Sequence, residues 1–293
     1  MTGRLFIFGL GYSGLEIAKL AQAAGWRVAG TCRSAEKAAS LAGHGIDAHR
    51  FDGTTPLPAA AIGDASHVLG TIAPGAGGDP ALRTSAHWLR GARWLGYLST
   101  TGVYGDHGGD WVDEATPPRP GQARSIERLA AEQAWLAIGA ESGVAVDIFR
   151  LPGIYGPGRS AIDQVLAGTA RRIDKPGQVF SRIHVTDIAG TVLSAIDQAR
   201  PGAIYNVADD LPAPSGDVVA FACELLGKPA PPVIPWAQAE PSLSAMARSF
   251  YAESRRVRND RIKKELGVVL RYPTYREGLR AIAASRPSGG AAT

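Results

Sequence analysis

The hydrophobic positions of this chain alternate between short unbroken runs and longer stretches with helical spacing. Leu5–Phe8 form an unbroken apolar run, after which Leu15, Ala18 and Ala21 recur at the spacing of one buried helix face. Further short runs predict strands at 26–31, 46–51, 67–72, 94–98, 144–149 and 203–207, and amphipathic stretches predict helices at 81–89, 125–138, 161–171 and 185–199. Strands that alternate with helices predict an α/β protein whose parallel sheet is covered on both faces. Ligand sites are then expected at the carboxyl ends of the strands.

The spacing of hydrophobic residues first changes from a strand pattern to a helix pattern at a glycine-rich turn. Gly9, Gly11 and Gly14 form a Gly-x-Gly-x-x-Gly motif between the first strand and the first helix. In a Rossmann-type fold the first glycine makes the tight turn, the second lets the backbone approach a pyrophosphate, and the third lets the helix pack on the strand. The helix N-terminus, with Tyr12 and Ser13, supplies backbone N–H groups to the anion. The motif therefore predicts a doubly wound α/β domain that binds a dinucleotide.

The ends of the next three strands bear on which dinucleotide binds. Arg33 follows the second strand, where an acidic residue would hold the ribose of NAD. This arginine predicts NADP rather than NAD, because a guanidinium can hold the 2′-phosphate; an ordinary surface arginine is the alternative. Asp52, after the third strand, is placed either to accept a hydrogen bond from adenine or to make a turn. Ala73 lies in the turn-rich stretch after the fourth strand, where small residues let the backbone lie against the cofactor.

Composition narrows the class of protein. The chain has 293 residues, of which 45% are hydrophobic and 20% charged, and no apolar run approaches the roughly 20 residues of a membrane span. No secretory leader is visible, and Cys32 and Cys223 are too few for a disulfide framework or a zinc site, so we expect buried thiols, no metal and a cytoplasmic location. A net charge of +4 suits anionic ligands without requiring nucleic acid. The basic residues at 248–264 predict a solvated helical face or, alternatively, a phosphate-binding edge.

A hydroxyl-rich segment follows the fifth predicted strand. Leu-Ser-Thr-Thr-Gly-Val-Tyr-Gly at 98–105 resembles the Ser-Ser-x-x-Val-Tyr-Gly segment of extended short-chain dehydrogenases and reductases, which include sugar-nucleotide epimerases and dehydratases. Later segments resemble the same family in the same order, at 149–158, 183–189, 205–207 and 275–279. The resemblance covers nearly the whole chain. It implies an NAD(P)-binding Rossmann domain with a small C-terminal substrate lobe.

The resemblance also implies site residues. Thr100 occupies the catalytic Ser/Thr position, and Tyr104, retained on the same segment, is the leading candidate for a proton donor. Pro152 lies in the segment that the family places beside the nicotinamide. Tyr155 and His184 are further candidates for the acid/base and for substrate binding, although Tyr155 could instead line the cofactor site and His184 could cap a helix.

One helix departs from the family pattern. In the family, the Lys of a Tyr-x-x-x-Lys motif lies four residues before a Glu. If Glu132 is that Glu, Arg128 stands at the Lys position and Arg124 at the Tyr position. A guanidinium stays protonated at neutral pH, so Arg124 is not expected to act as the general acid/base. Arg128 could still hold ribose or phosphate. The two arginines share a helix face, so either an anion lies between them or they are exposed and paired with Glu127 and Glu132.

Two hypotheses about function follow. The first is an NADP-dependent oxidoreductase or epimerase of the atypical group, acting on a small, polar, anionic substrate with another acid/base. The second is a non-catalytic dinucleotide-binding sensor or scaffold. We expect a dinucleotide-binding domain over 1–160, to which 176–210 returns, a substrate lobe over 161–175 and 211–284, and a disordered tail over 285–293. No nucleic-acid or membrane partner is expected, and a homodimer is compatible with the pattern.

Overall fold

The structure is a computed structural model that describes residues 3–198, 200 and 202–286. Its strands are β1 (Arg4–Phe8), β2 (Arg27–Cys32), β3 (Asp47–Arg50), β4 (His67–Gly70), β5 (Trp94–Thr100), β6 (Trp111–Val112), β7 (Ala145–Leu151), β8 (Gly153–Tyr155), β9 (Arg172–Asp174), β10 (Arg182–His184), β11 (Ala203–Asn206), β12 (Val233–Pro235) and β13 (Arg256–Val257). Its helices are α1 (Tyr12–Ala23), α2 (Ala35–Ala42), α3 (Ala59–Ile62), α4 (Pro80–Leu89), α5 (Ala123–Ser142), α6 (Ala161–Leu166), α7 (Val185–Asp197), α8 (Ser215–Leu225), α9 (Trp236–Ala239), α10 (Ala245–Tyr251), α11 (Asp260–Leu266) and α12 (Tyr275–Ala284). Short 3₁₀ turns lie at Thr101–Tyr104 and Glu240–Ser242.

Seven strands form one parallel sheet in the order β11-β7-β5-β4-β1-β2-β3. All residues of β1 are buried, as expected of a central strand covered on both faces. The chain runs from β1 outward through β2 and β3, and then returns to pair β4 with the other side of β1. The crevice at the carboxyl ends of β1 and β4 is therefore the switch point at which such folds bind ligands. This topology confirms the predicted Rossmann-type doubly wound α/β fold.

Helices cover both faces of this sheet. One hydrophobic cluster joins the sheet to α1 and α7, through side chains such as Ile17 and Val192. The other joins it to α4 and α5, where the Trp135 ring stacks on Tyr97 with centroids 5.6 Å apart. Within the described ranges, no helix is both long enough and apolar enough to cross a bilayer. Cys32 and Cys223 are buried free thiols, as predicted.

A smaller hydrophobic cluster lies in the C-terminal part of the chain. It is formed by α6, α8 and α12 around side chains that include Ile162, Val218 and Leu279. These helices fall within the ranges assigned to the substrate lobe. The predicted helix over 161–171 is too long, because Gly168 takes a positive φ of 67° and the chain then enters β9.

Two predictions about the C-terminal region need correction. The basic stretch 248–264 is divided among α10, β13 and α11 and is not one helical face. Its side chains fasten this stretch to the segment after β5: Arg255 donates to the Gly105 carbonyl at 2.6 Å, Arg256 donates to the Gly109 carbonyl, and the Arg258 guanidinium lies 5.1 Å from the Trp111 ring centroid.

The predicted tail also begins too early. Ser285 continues the hydrogen bonding of α12, and Arg286 forms an ion pair with Asp163 of α6. Residues 287–293 of that tail lie outside the described residues.

Candidate active site

The glycine-rich turn is fixed to both strands that flank β1. Gly9 has a φ of 100°, which favours glycine, and its N–H donates to Thr31 Oγ1 at 2.8 Å. Thr71 Oγ1 donates to the Gly9 carbonyl at 2.6 Å. Since Thr31 belongs to β2 and Thr71 follows β4, the turn has one position relative to the sheet edge.

The two other glycines of the motif differ in their surroundings. A Cβ on Gly14 would lie 2.2 Å from the Gly9 carbonyl oxygen, so close packing of α1 on the turn requires glycine there. A Cβ on Gly11 would meet no atom within 4 Å, because this residue faces an open crevice. Gly11 is the N-cap of α1, and no side chain of the described residues caps that helix end. Open space above uncapped N–H groups fits a dinucleotide pyrophosphate.

Tyr12 and Ser13 form the first turn of α1. The Tyr12 hydroxyl donates to the Pro157 carbonyl at 3.1 Å, and burial raises its pKa to about 12. The neutral phenol thus joins α1 to the segment after β8. Tyr12 and Ser13 can contribute backbone N–H groups at the helix end, as the sequence predicts.

The residues expected near the adenosine part of the cofactor are all at the surface. Arg33 is exposed directly after β2, and the next residue, Ser34, caps α2. The Asp52 carboxylate accepts hydrogen bonds from the Thr54 and Thr55 backbone N–H groups at 2.7 and 2.9 Å, which lower its pKa. The structure therefore uses Asp52 to make a turn, the second of the two alternatives considered for it.

A cavity of about 640 Å³ lies at the carboxyl edge of the sheet. It brings together five of the predicted site residues: Ala73, Thr100, Arg124, Arg128 and Pro152. Thr100 ends β5, and its Oγ1 accepts from the Gly102 N–H at 3.1 Å, so this hydroxyl is held at the cavity wall by the turn that follows. Thr100 therefore belongs to the strand and not, as expected, to a loop.

The lining of this cavity is strongly cationic. It contains five arginines, and they are Arg124, Arg128, Arg159, Arg182 and Arg255. Glu253 is the one carboxylate among the lining residues, and it already forms a 2.8 Å ion pair with Arg255. The remaining positive charge suits an anionic ligand.

Arg128 is tied to the end of β5. Its guanidinium donates to the Leu98 carbonyl at 2.8 Å and to the Tyr97 hydroxyl at 3.2 Å. Arg124, one turn earlier on α5, lies with its guanidinium 4.5 Å from the centroid of the Phe250 ring. The alternative in which these arginines pair with Glu127 and Glu132 is not seen, because Glu132 pairs with Arg150 and no ion pair among the described residues joins either arginine to Glu127.

Glu132 belongs to a buried polar network beneath the cavity. The Ser99 hydroxyl donates to Glu132 Oε1 at 2.5 Å, and the Arg150 guanidinium donates to both carboxylate oxygens, the shorter distance being 2.8 Å. Arg150 also stacks on the Tyr104 ring at 4.9 Å. The network joins α5, β5 and β7 directly below Thr100. Its signal in the sequence was an arginine within an apolar strand, whereas the burial of Glu132 on α5 is known only from the structure.

Tyr104 is not at the cavity. Its side chain is fully buried beside Val103, Val112 and Val257, and its hydroxyl donates to Asn206 Oδ1 at 2.8 Å. Burial raises its pKa. The prediction that Tyr104 is the proton donor conflicts with this placement, because the hydroxyl-rich segment turns as a 3₁₀ helix and points the ring into the core.

His184 and Tyr155 also lie outside this cavity. His184 Nδ1 accepts from the Thr186 N–H at 3.2 Å, so the imidazole caps α7, and burial lowers its pKa to about 4. Tyr155 donates to the Thr274 carbonyl at 3.3 Å and lines a second cavity, of about 850 Å³, in the C-terminal lobe. For His184, the structure shows the capping alternative.

No sequence motif marks two hydroxyls that lie at the junction of the two cavities. Tyr251 of α10 and Ser215 of α8 line both cavities, and their oxygens are 2.8 Å apart. Each lies in a segment without a motif, and only the tertiary structure brings them together. In the part of the chain that the structure describes, no cluster of three His, Cys, Asp or Glu side chains could hold a metal ion.

The sheet topology, the glycine-rich turn and the cavity at its edge define a Rossmann-type dinucleotide-binding protein. The sequence model of the NAD dependent epimerase/dehydratase family matches residues 82–208. A 3-diazoavenalumate denitrifying reductase from a Streptomyces species is 30% identical over 200 residues, which cover 64% of this chain and 64%, slightly less than two thirds, of that protein.

Solved structures agree with this class. A functionally unknown conserved protein from Silicibacter pomeroyi DSS is similar with a TM-score of 0.87 and 46% identity, over 97% of this chain and 99% of that chain. The dTDP-glucose 4,6-dehydratase of Bacillus anthracis, in complex with NAD, shares the fold with a TM-score of 0.75 and 18% identity, over 97% of this chain and 96% of that chain. The match to the NAD dependent epimerase/dehydratase family model over residues 82–208 and the fold shared with this dehydratase agree with the resemblance seen in the sequence.

Proposed function

We propose that this protein is an NADP-dependent oxidoreductase or epimerase that acts on a small anionic substrate. The observation that carries the proposal is the cavity at the carboxyl edge of the sheet, whose lining has five arginines and one carboxylate. A bound nicotinamide would accept or donate hydride at this edge of the sheet. The relative from Streptomyces is named as a reductase, which supports redox chemistry.

The proposed cofactor site combines backbone and side-chain groups. Gly9, Gly11 and the first turn of α1 would hold the pyrophosphate, and Arg33 would hold the 2′-phosphate. Arg128 and Pro152 line the cavity where the ribose and nicotinamide would enter it.

The Cys32 and Cys223 thiols are not bridged, which supports the expected cytoplasmic location.

We further propose that the chain works without the Tyr/Lys dyad of its family. Arg124 and Arg128 stand at the two positions in our alignment of the motif, and both line the cavity. Their fixed charge suits binding of a substrate anion and not proton exchange. Among the described residues that line this cavity, Tyr251 is the one phenol, so it replaces Tyr104 as our candidate proton donor.

A dinucleotide-binding sensor is the second candidate. The observation in its favour is the burial of Tyr104, which removes the family-like phenol from the cavity. A sensor would bind the same cofactor and anion but would transmit binding to a partner without turnover. The cavity at the nicotinamide side favours the enzyme.

The cofactor preference tests the proposal first. Calorimetric titration is expected to show tighter binding of NADPH than of NADH, and Arg33→Ala is expected to weaken NADPH binding by about 1.5 to 3 kcal/mol while leaving NADH binding unchanged. Arg27→Ala, an exposed arginine at the opposite end of β2, is the matched control. A preference for NADH, or an unchanged ratio in Arg33→Ala, would contradict the assignment.

Turnover then separates the enzyme from the sensor. A metabolite screen should follow NADPH oxidation and NADP⁺ reduction, with carboxylates and phosphate esters included. For any substrate found, Tyr251→Phe is expected to lower kcat and Arg124→Ala is expected to raise KM. Cofactor binding without any turnover across a broad screen would favour the sensor.

A further inference from the structure

Helix α10 forms part of the wall of both cavities and lies at the surface of the protein. It has seven residues, none of which is buried. Ala247 and Tyr251 line the larger cavity, and Phe250 and Tyr251 line the smaller. A helix this short is not stable in isolation, so its order depends on its contacts with the rest of the protein.

Those contacts are concentrated at the C-terminal end of α10. The Phe250 ring lies 4.5 Å from the Arg124 guanidinium, and the Gln122 side-chain amide donates to the Ser249 carbonyl at 2.8 Å. On the other side the Tyr251 hydroxyl bonds to Ser215 of α8, and its ring packs against Phe180 and Trp236 with centroids 5.2 and 4.9 Å apart. The Tyr251 carbonyl also accepts a hydrogen bond from Lys175. The helix therefore bridges the N-terminus of α5 and the C-terminal lobe, across the cavity.

The stacking of Phe250 on Arg124 leaves the rest of the guanidinium available. A guanidinium stacks through its face, whereas its N–H donors point outward in its plane. The Phe250 side chain is 54% exposed and Arg124 is exposed, and both line the smaller cavity. An oxyanion in this cavity can thus bind the edge of the guanidinium while Phe250 keeps its face.

We propose that Phe250 is a positioning residue for Arg124, and that an oxyanion bound by Arg124 orders α10 over the cavity. The ligand class is a carboxylate or a phosphate. That this oxyanion is part of a substrate rests on the proposed function. By thermodynamic reciprocity, whatever loosens Phe250 from Arg124 must also weaken the binding of the oxyanion.

Hydrogen exchange of the 245–251 amides, measured by mass spectrometry on the full chain with NADPH present and absent, tests the contact. Phe250→Ala is expected to exchange roughly 3- to 10-fold faster than wild type, the effect of losing a cation–π contact of ordinary strength. Phe250→Tyr, which keeps the aromatic face, is expected to restore the wild-type rate. Met246→Ala, whose side chain is 66% exposed on the same helix, is the matched control. Equal rates in Phe250→Ala and Met246→Ala would overturn the proposal.

Anion titration tests the coupling. Inorganic phosphate and malonate are the two probes, and at least one is expected to slow exchange at 245–251 in wild type and in Met246→Ala. The slowing is expected to disappear in Arg124→Ala and to need several-fold more anion in Phe250→Ala. The probe that acts distinguishes a phosphate from a carboxylate site. No slowing by either probe, or an unchanged midpoint in Phe250→Ala, would overturn the coupling.

The outcome is separable from that of the proposed function. If NADPH fails to bind, the proposed function fails, and the exchange rates without cofactor still decide whether Phe250 holds Arg124. If NADPH binds and the rates do not respond, only the inference about α10 is lost.

Discussion

The glycine-rich turn and the arginine-lined cavity meet at one edge of the sheet, but they are assembled in different ways. The turn is one continuous segment, Gly9–Gly14, and offers backbone N–H groups. The cavity takes its side chains from β5, α5, β7 and the C-terminal lobe, which are far apart in the chain. The turn therefore depends on local backbone geometry, whereas the cavity depends on buried side chains that hold those elements together.

Glu132 provides the strongest test of this difference. Glu132→Ala is expected to cost about 3 to 5 kcal/mol of unfolding free energy, because it leaves the Arg150 guanidinium charged and unpaired in the core. Urea unfolding monitored by circular dichroism measures this loss. Where the variant is still folded, anion binding in the cavity is expected to suffer more than NADPH binding at the turn.

Glu141 on the same helix is the matched control for Glu132. It pairs with Arg90 at 2.7 Å, but both side chains are exposed. Glu141→Ala is therefore expected to cost less than about 1 kcal/mol. Similar losses in the two variants would mean that the buried network does not support the cavity.

Asp147 lies in β7, away from the carboxyl edge of the sheet, and its burial predicts a dependence of stability on pH. Its Oδ2 accepts from Trp94 Nε1 at 2.7 Å, its Oδ1 is buried without a partner among the described residues, and burial raises its pKa from 3.8 to about 7. Between these two pKa values the folded state keeps a proton that the unfolded state releases. The contribution of Asp147 to the free energy of unfolding is therefore complete below about pH 4 and is lost as the pH rises to about 7. Asp147→Asn is expected to remove this dependence.

The expected gain in Asp147→Asn is at most about 4 kcal/mol at pH 8 and near zero at pH 4, relative to wild type. Urea unfolding at several pH values measures it, with the exposed Asp110→Asn as the control. NADPH affinity is expected to stay unchanged, since Asp147 lies below the site. A constant difference across this pH range would contradict the raised pKa.

Gly11 and Gly14 separate ligand binding by the turn from its packing on α1. Gly11→Val is expected to weaken dinucleotide binding at least 100-fold, about 2.7 kcal/mol, while leaving stability nearly unchanged, because its side chain would fill the open crevice. Gly14→Ala is expected to cost about 1 to 3 kcal/mol of stability, because its Cβ would press on the Gly9 carbonyl. Calorimetry and thermal unfolding measure the two effects. Normal binding by Gly11→Val would remove this residue from the cofactor site.

Much of the fold was predictable because its signals are local. Unbroken apolar runs and helical spacing each depend on a few neighbouring residues, and β1, β5 and β7 were located within two residues of their bounds. The boundaries failed where a turn intervened, as at Gly168. The structure brings Thr100, Arg128 and Pro152, which the resemblance singled out, to the lining of one cavity, and their roles there stay predictions.

By itself, the sequence determined the strand, the glycine-rich turn and the helix of the candidate cofactor site. Gly9 has a φ that favours glycine, Gly14 has no room for a Cβ, and both lie within six consecutive residues. Only the tertiary structure decided which side chains enter the cavity. In the structure the Tyr104 side chain points into the core. Tyr251 reaches the cavity instead, although it lies more than a hundred residues from Arg128 in the chain. The physical reason is that a backbone turn is fixed by its own dihedral angles, whereas the direction of a side chain depends on what packs against it.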